Sequence, residues 1–115
     1  MVCMQAVVET PGYLRDAEAI FTAAEREAIV TMVASDPECG EVMQGTGGVR
    51  KVRVGRGGRG KSGGGRVVYI LNDANHPIFL LAAFAKNEKS NLSKAERNEL
   101  AKFVKALFQR DGGKR

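Results

Sequence analysis

Apolar residues recur along this chain with two different periods, and the switches between them mark out its elements. Met4 to Val8 reads as a short strand, stopped by Pro11-Gly12, and Gly12 to Ala19 as a short helix. Thr22-Ala-Ala-Glu25 is a capping box, opening a helix in which Ile29, Met32 and Val33 share a buried face at i, i+3 and i+4. Ser35-Asp36-Pro37 ends that helix, because a residue before proline resists the α region. Glu38 to Gly48 reads as a connection. Val49 to Val54 alternates loosely and is rich in valine, so it predicts a strand with Val52 and Val54 on one face and Lys51 and Arg53 on the other.

The glycines from Gly55 to Gly65 predict a flexible loop, and Arg66 to Asn72 a strand that pairs back as a long-looped hairpin. Asp73 to Pro77 is a turn. Ile78 to Ala85 is almost uninterrupted in its apolar character, the mark of a central strand covered on both faces. Ser93-Lys-Ala-Glu96 is a second capping box, and the helix it opens carries Leu100, Phe103, Val104, Leu107 and Phe108 along one stripe. The resulting order is β-α-α-β-β-β-α. It predicts a small α+β domain with a curved, antiparallel-rich sheet packed with helices, residues 1–110 forming the domain and 111–115 a flexible tail.

Composition narrows the class. With 115 residues and 43% hydrophobic content the chain suits one soluble domain. Its longest apolar run, Pro77 to Ala85, has strand length and falls well short of a membrane span. The start lacks a basic segment followed by a long apolar one, so no signal peptide and a cytoplasmic location are expected. Cys3 and Cys39 show no metal-ligand spacing and read as free thiols. The net charge of +5 hides an asymmetry. Residues 1–49 carry two basic and eight acidic side chains, for −6, whereas residues 50–115 carry sixteen basic and five acidic, for +11. Such a concentration is the footprint of a nucleic-acid-binding face or of a site for an acidic protein segment.

The surplus centres on GTGGVRKVRVGRGGRGKSGGGR, Gly45 to Arg66, which holds seven basic residues and no acidic one. Nothing within it neutralises the field, so its natural partner is an anion, best a polyanion. Gly55, Gly60, Lys61 and Ser62 match the phosphate-loop pattern letter for letter, but that motif needs a helix after it. Here glycines and then a strand follow, and the same point disposes of Gly55-x-Gly57-x-x-Gly60 as a dinucleotide fingerprint. A basic hairpin loop is the better reading.

Three ordered runs along the chain, G-T-G-G-x-R-K-x-R, G-K-x-G-G-x-R and K-N-E, resemble the RelE/HigB-like toxins of bacterial type II toxin–antitoxin systems, and the HigB branch most. The resemblance spans nearly the whole chain. It implies a RelE-like fold and a ribosome-dependent endoribonuclease, an mRNA interferase that cuts translated messenger and needs no metal or cofactor. It further implies a cognate antitoxin, a helix-turn-helix protein encoded by an adjacent gene. Operator DNA would be bound only through the complex with that antitoxin.

RNA cleavage by the adjacent 2′-hydroxyl needs a base for that hydroxyl, an acid for the departing 5′-oxygen and cations on the phosphorane. Ribonucleases often use two histidines; this chain has one, His76, which reads as a turn residue before Pro77. The work would then fall to clustered Lys and Arg. By resemblance, Lys51 and Arg53 match the family's paired cations, Arg66 the arginine opening the next strand, and Lys86 the lysine closing the last. Many members follow that lysine with an arginine and later a tyrosine, where this chain has Asn87 and Leu92-Ser93. Lys89 can stand in as the acid, and Glu88 is either a base or the salt-bridge partner of Lys89. Arg50, Arg56, Arg59 and Lys61 are the expected RNA and ribosome contacts. Two other functions fit less well: a ParE-type gyrase inhibitor, which would not need the Lys51, Arg53, Arg66 and Lys86 set, and a non-enzymatic nucleic-acid-binding module, which usually shows more aromatic platforms.

Overall fold

In the computed structural model, which describes residues 5–55, 64–71, 77–85 and 93–112, a sheet of five strands separates two hydrophobic clusters. The elements run β1 (Val7–Glu9), α1 (Pro11–Ile20), α2 (Ala23–Ser35), β2 (Glu41–Val42), β3 (Val49–Val54), β4 (Gly65–Ile70), β5 (Ile78–Ala85) and α3 (Lys94–Gly112). The sheet order is β1-β5-β4-β3-β2, with β1 parallel to β5 and every other pair antiparallel. This is the expected α+β order with one strand added. β2 lies inside the segment read as a connection, and at two residues it is too short to show any period. α3 runs to Gly112, two residues into the stretch expected as a tail.

Local chemistry explains the element ends. Thr10 caps α1 by accepting from the Tyr13 amide, while its own hydroxyl donates to the Leu80 carbonyl at 2.8 Å, tying the helix start to β5. Pro11 sits at the first turn, where a missing N–H costs nothing. Both capping boxes form: Thr22 with Glu25 on α2, and Ser93 with Glu96 on α3. Beyond the end of β1, Asp16 of α1 accepts from the Ala83 amide, so a side chain continues the edge of β5 where the strand partner stops.

Alternation along the strands sends residues to opposite faces. One face carries Val52, Val54, Val67, Tyr69, Ile78, Leu80 and Ala83 against Tyr13, Ala17 and Phe21 and against Ile29 and Val33 of α2. The other carries Val49, Val68, Ile70, Leu81 and Phe84 against Met43 and Val104. A bulge keeps the two sets in step. Val68 pairs with Ala82 but Tyr69 with Leu80, leaving Leu81 as the extra residue on β5, in the second cluster. β4, buried at all six positions, is the central strand; β5, expected to be central, lies one place towards the edge. Phe103, expected in the buried stripe of α3, is 44% exposed, because Val104, with Leu100 partly buried beside it, makes the contact instead.

Candidate active site

The register of β3, β4 and β5 sets the second face out in rows. Val49 lies opposite Ile70, which lies opposite Phe79; Lys51 opposite Val68, opposite Ala82; Arg53 opposite Arg66, opposite Phe84. The first row is apolar, and the turn beside it meets Val104 of α3. Two rows further on, the same face presents two arginines side by side at the hairpin end. The sequence alternation that separates Val52 and Val54 from Lys51 and Arg53 is present as expected, with the valines buried and Arg53 exposed.

Arg66 departs from the picture of a surface cation. It is one of two buried polar residues among those described, at 5% exposure, and its Nη1 donates to the Gly65 carbonyl at 3.2 Å. Burial pulls its pKa below the usual guanidinium value, and the positive charge of Arg53 pulls it further in the same direction. An arginine still stays protonated at neutral pH. Like charges directly opposed across two strands destabilise a sheet, and burial adds a desolvation cost. Neither register neighbour of Arg66, Arg53 or Phe84, offers a negative charge. The arrangement therefore favours an incoming anion, which would relieve both penalties together. On the opposite face of β4, a Cβ at Gly65 would sit 2.8 Å from Phe21 Cζ, so a side chain there would make the Phe21 ring give way at the end of α1.

The G-T-G-G run proves architectural. Gly45, Gly47 and Gly48 adopt φ of +77°, +80° and +106°, and fully buried Thr46 donates to the Met43 carbonyl and accepts from the Val49 amide. This turn joins β2 to β3 and so fixes Lys51 across from Glu41.

Arg50 is not with the cluster. Its parity is that of Val52, and its Nη1 donates to the Gly40 carbonyl at 2.7 Å and the Glu38 carbonyl at 3.5 Å, holding the loop that follows α2. Tyr69, opposite it, serves the same loop: its hydroxyl donates to the Pro37 carbonyl and accepts from the Gly40 amide, both at 2.8 Å. Burial first, and then the hydrogen bond with Cys39, push the Tyr69 pKa up. Lys86, Lys89, Glu88, His76, Arg56, Arg59 and Lys61 lie outside the described residues, as does Cys3; Cys39 is a free thiol. β4 begins at Gly65, three residues after Ser62, so a strand and not a helix follows the phosphate-loop lettering.

Three polar residues of this face escaped the sequence reading. Glu41, Gln44 and Arg97 line, with Val42, Met43 and Lys51, an open pocket of about 300 Å³ beside the cation rows. Only the antiparallel return through the glycine turn could have signalled that Glu41 meets Lys51. Among the described residues, no group of three or more His, Cys, Asp and Glu comes together to hold a metal ion, and no helix is long and apolar enough to cross a membrane.

Residues 17–114 match the sequence model of a family described as the RelE toxin of the RelE/RelB toxin–antitoxin system. The fold is similar to that of E. coli toxin RelE, solved in the free state as a double arginine-to-alanine mutant. The TM-score is 0.54 at 15% identity, over 76% of this chain and 88% of that one. At that identity the structural likeness speaks for the fold, while the family match spans most of the sequence.

Proposed function

The chain belongs to the family of RelE toxins of RelE/RelB toxin–antitoxin systems, and on that premise we propose that it is a ribosome-dependent endoribonuclease that cuts translated mRNA and so arrests protein synthesis. The observation that carries this reading is the opposed pair Arg53 and Arg66, one exposed and one buried, at the hairpin end of an otherwise packed sheet. In the reaction the 2′-oxygen attacks phosphorus and the P–O5′ bond breaks. This leaves a 2′,3′-cyclic phosphate on one fragment and a 5′-hydroxyl on the other. Arg53 and Arg66 would hold the non-bridging oxygens, on which charge builds in the phosphorane, with Lys51 one row away as a further cation. The 2′-hydroxyl loses its proton to a base, and the 5′-oxygen gains one from an acid. Lys89 is the proposed source of the second proton, with Lys86 a further cation, and Arg56, Arg59 and Lys61 are the proposed backbone contacts to the ribosome or messenger. In this reading the protein acts in the cytoplasm without a metal, and an antitoxin from an adjacent gene, of the helix-turn-helix type, inhibits it and links it to operator DNA.

The test is single-turnover cleavage of mRNA on programmed ribosomes, with ribosome binding measured in parallel. Arg66→Ala is expected to bind nearly normally and cleave about a hundredfold more slowly, the effect of losing roughly 3 kcal/mol of transition-state stabilisation. Unimpaired cleavage by this variant would move the active site elsewhere. Relaxed plasmid DNA in induced cells, with translation intact, would favour gyrase as the target.

A further inference from the structure

We infer that the pocket between the end of β1 and the first turns of α2 is a site for a free α-amino acid, held by its carboxylate and its ammonium group together. The pocket lies at the β1 edge of the sheet, beside the cluster under α1 and α2 and away from Arg53 and Arg66, so the inference does not rest on the nuclease reading. It is open, holds about 540 Å³, and is lined by Glu9, Ala23, Ala24, Arg26, Glu27 and Val30. That volume lies within the range of small-molecule sites and is ample for an amino acid.

One part of the lining is short of acceptors. Among the described residues, the buried side-chain polar atoms without a hydrogen-bond partner are Arg26 Nε and the hydroxyl of wholly buried Tyr13. Both belong to this place. Arg26 lines the pocket, and the charges of Glu9 and Arg26 both reach the Tyr13 hydroxyl, the first raising and the second lowering its pKa. Buried donors left unpaired are costly, and an acceptor that meets both removes both penalties. The start of α2 adds to the demand. Its capping box uses the Glu25 amide and turns the Glu25 carboxylate back to the Thr22 amide. The amides of Ala23 and Ala24, at the first two positions of this 13-residue helix, have no acceptor within the helix, and methyl side chains leave them uncovered. Such a helix start attracts a carboxylate.

The rest of the lining has the opposite character. Glu9 closes β1 and Glu27 lies one turn after Ala23; both carboxylates share the pocket with Arg26, yet neither takes up its Nε. A simple anion would meet two carboxylates here, and a simple cation the Arg26 guanidinium and the positive end of α2. A zwitterion satisfies both sets. Its carboxylate accepts from Arg26, Tyr13 and the α2 amides, and its ammonium donates to Glu9 and Glu27. Val30, one turn beyond Arg26, gives an apolar wall, which suits an aliphatic side chain such as that of leucine. A bridging water would serve the donors alone and would leave no dependence on the two charges of the ligand.

The experiment is calorimetric titration of the full chain with four probes: L-leucine, isocaproate, which lacks the ammonium, isoamylamine, which lacks the carboxylate, and leucyl-leucine, which moves the two charges apart. Leucine is expected to bind saturably, and the other three about tenfold more weakly or worse. Glu27→Gln and Arg26→Met are each expected to weaken leucine binding by about tenfold. Glu27 is exposed, so its variant tests the site without disturbing the packing. Tyrosine emission gives a second readout in a chain without tryptophan. Leucine is expected to shift it, and Tyr13→Phe, which keeps Tyr69, to abolish the shift. Absence of saturable leucine binding overturns the inference. So does binding of isocaproate, isoamylamine or the dipeptide as tight as that of leucine, and so does full affinity in Glu27→Gln.

Discussion

On the side of the sheet covered by α1 and α2, every strand but β2 contributes apolar residues and both helices answer them, so Tyr13, Val33, Val67, Tyr69, Ile78 and Leu80 are all completely buried. On the side turned to α3, the apolar cover begins at Val49 and Ile70, and Arg53 and Arg66 lie two rows on, opposed and without a charge of opposite sign in their row. The first side has been built for burial alone. The second combines a smaller cluster with an electrostatic arrangement that weakens the fold and suits an anion. The larger cluster and the proposed anion site thus fall on opposite faces of the same sheet, and alternation along β3 and β4 is what keeps them apart.

Truncations on the two faces test this division most strongly. Leu80→Ala, on the closed side, is expected to cost about 3 kcal/mol of unfolding free energy, the usual loss for a large buried aliphatic side chain. Val104→Ala, under the single helix of the other side, is expected to cost nearer 1 kcal/mol, by loss of two methyl groups from a smaller cluster. Urea denaturation of both variants measures the contrast, and equal losses would dissolve it.

The two tyrosines refine the picture within the closed side. Tyr69→Phe strips the partner from the Pro37 carbonyl and the Gly40 amide and is expected to destabilise by about 1–3 kcal/mol. The Tyr13 hydroxyl is buried and has no hydrogen-bond partner among the described residues, so Tyr13→Phe is expected to leave stability unchanged or raise it. Burial, followed by the charge of Glu9, pushes the Tyr13 pKa up to about 12. An unfolded tyrosine releases its proton near pH 10. Between those values the native state binds more protons than the unfolded one, so stability is full below about pH 10 and falls as pH rises towards 12. Thermal melts across that window should show the decline, and Tyr13→Phe should flatten part of it.

The smallest expected effect has the opposite sign. Arg53→Thr removes one of two like charges facing each other across β3 and β4, and it is expected to raise stability by about 0.5 kcal/mol while slowing cleavage. A stabilised variant with full activity would mean that the pair is not an anion site.

Much of this was legible in the chain because the signals were strong and local. Val52 and Val54 of β3 alternate with Lys51 and Arg53, and both capping boxes mark their helices to the residue. What was missed had physical reasons. Two residues cannot display a period, so β2 was hidden, and with it the meeting of Glu41 and Lys51. Phe103 fits the helical stripe, yet α3 turns Val104 and Leu100 to the sheet and leaves Phe103 half in water. Arg50 was expected with Arg56, Arg59 and Lys61 as an RNA contact, although its parity with Val52 already assigned it to the face away from Lys51 and Arg53, where it holds the loop after α2. The close approach of Gly65 to Phe21, like the burial of Arg66 beside it in β4, is a tertiary feature that no local pattern announces.

Because the chain has no tryptophan and only two tyrosines, both wholly enclosed on the α1–α2 side, its tyrosine fluorescence and the tyrosine bands of its near-ultraviolet dichroism come from one face alone. Those spectra are built-in reporters of the closed cluster and are blind to the basic rows. A variant of Arg53 or Arg66 that has lost activity can therefore be certified as folded by its native optical signature, without an added label. Conversely, RNA bound to the open side is expected to leave the tyrosine bands unmoved, so titrations of that side call for a probe carried by the nucleic acid.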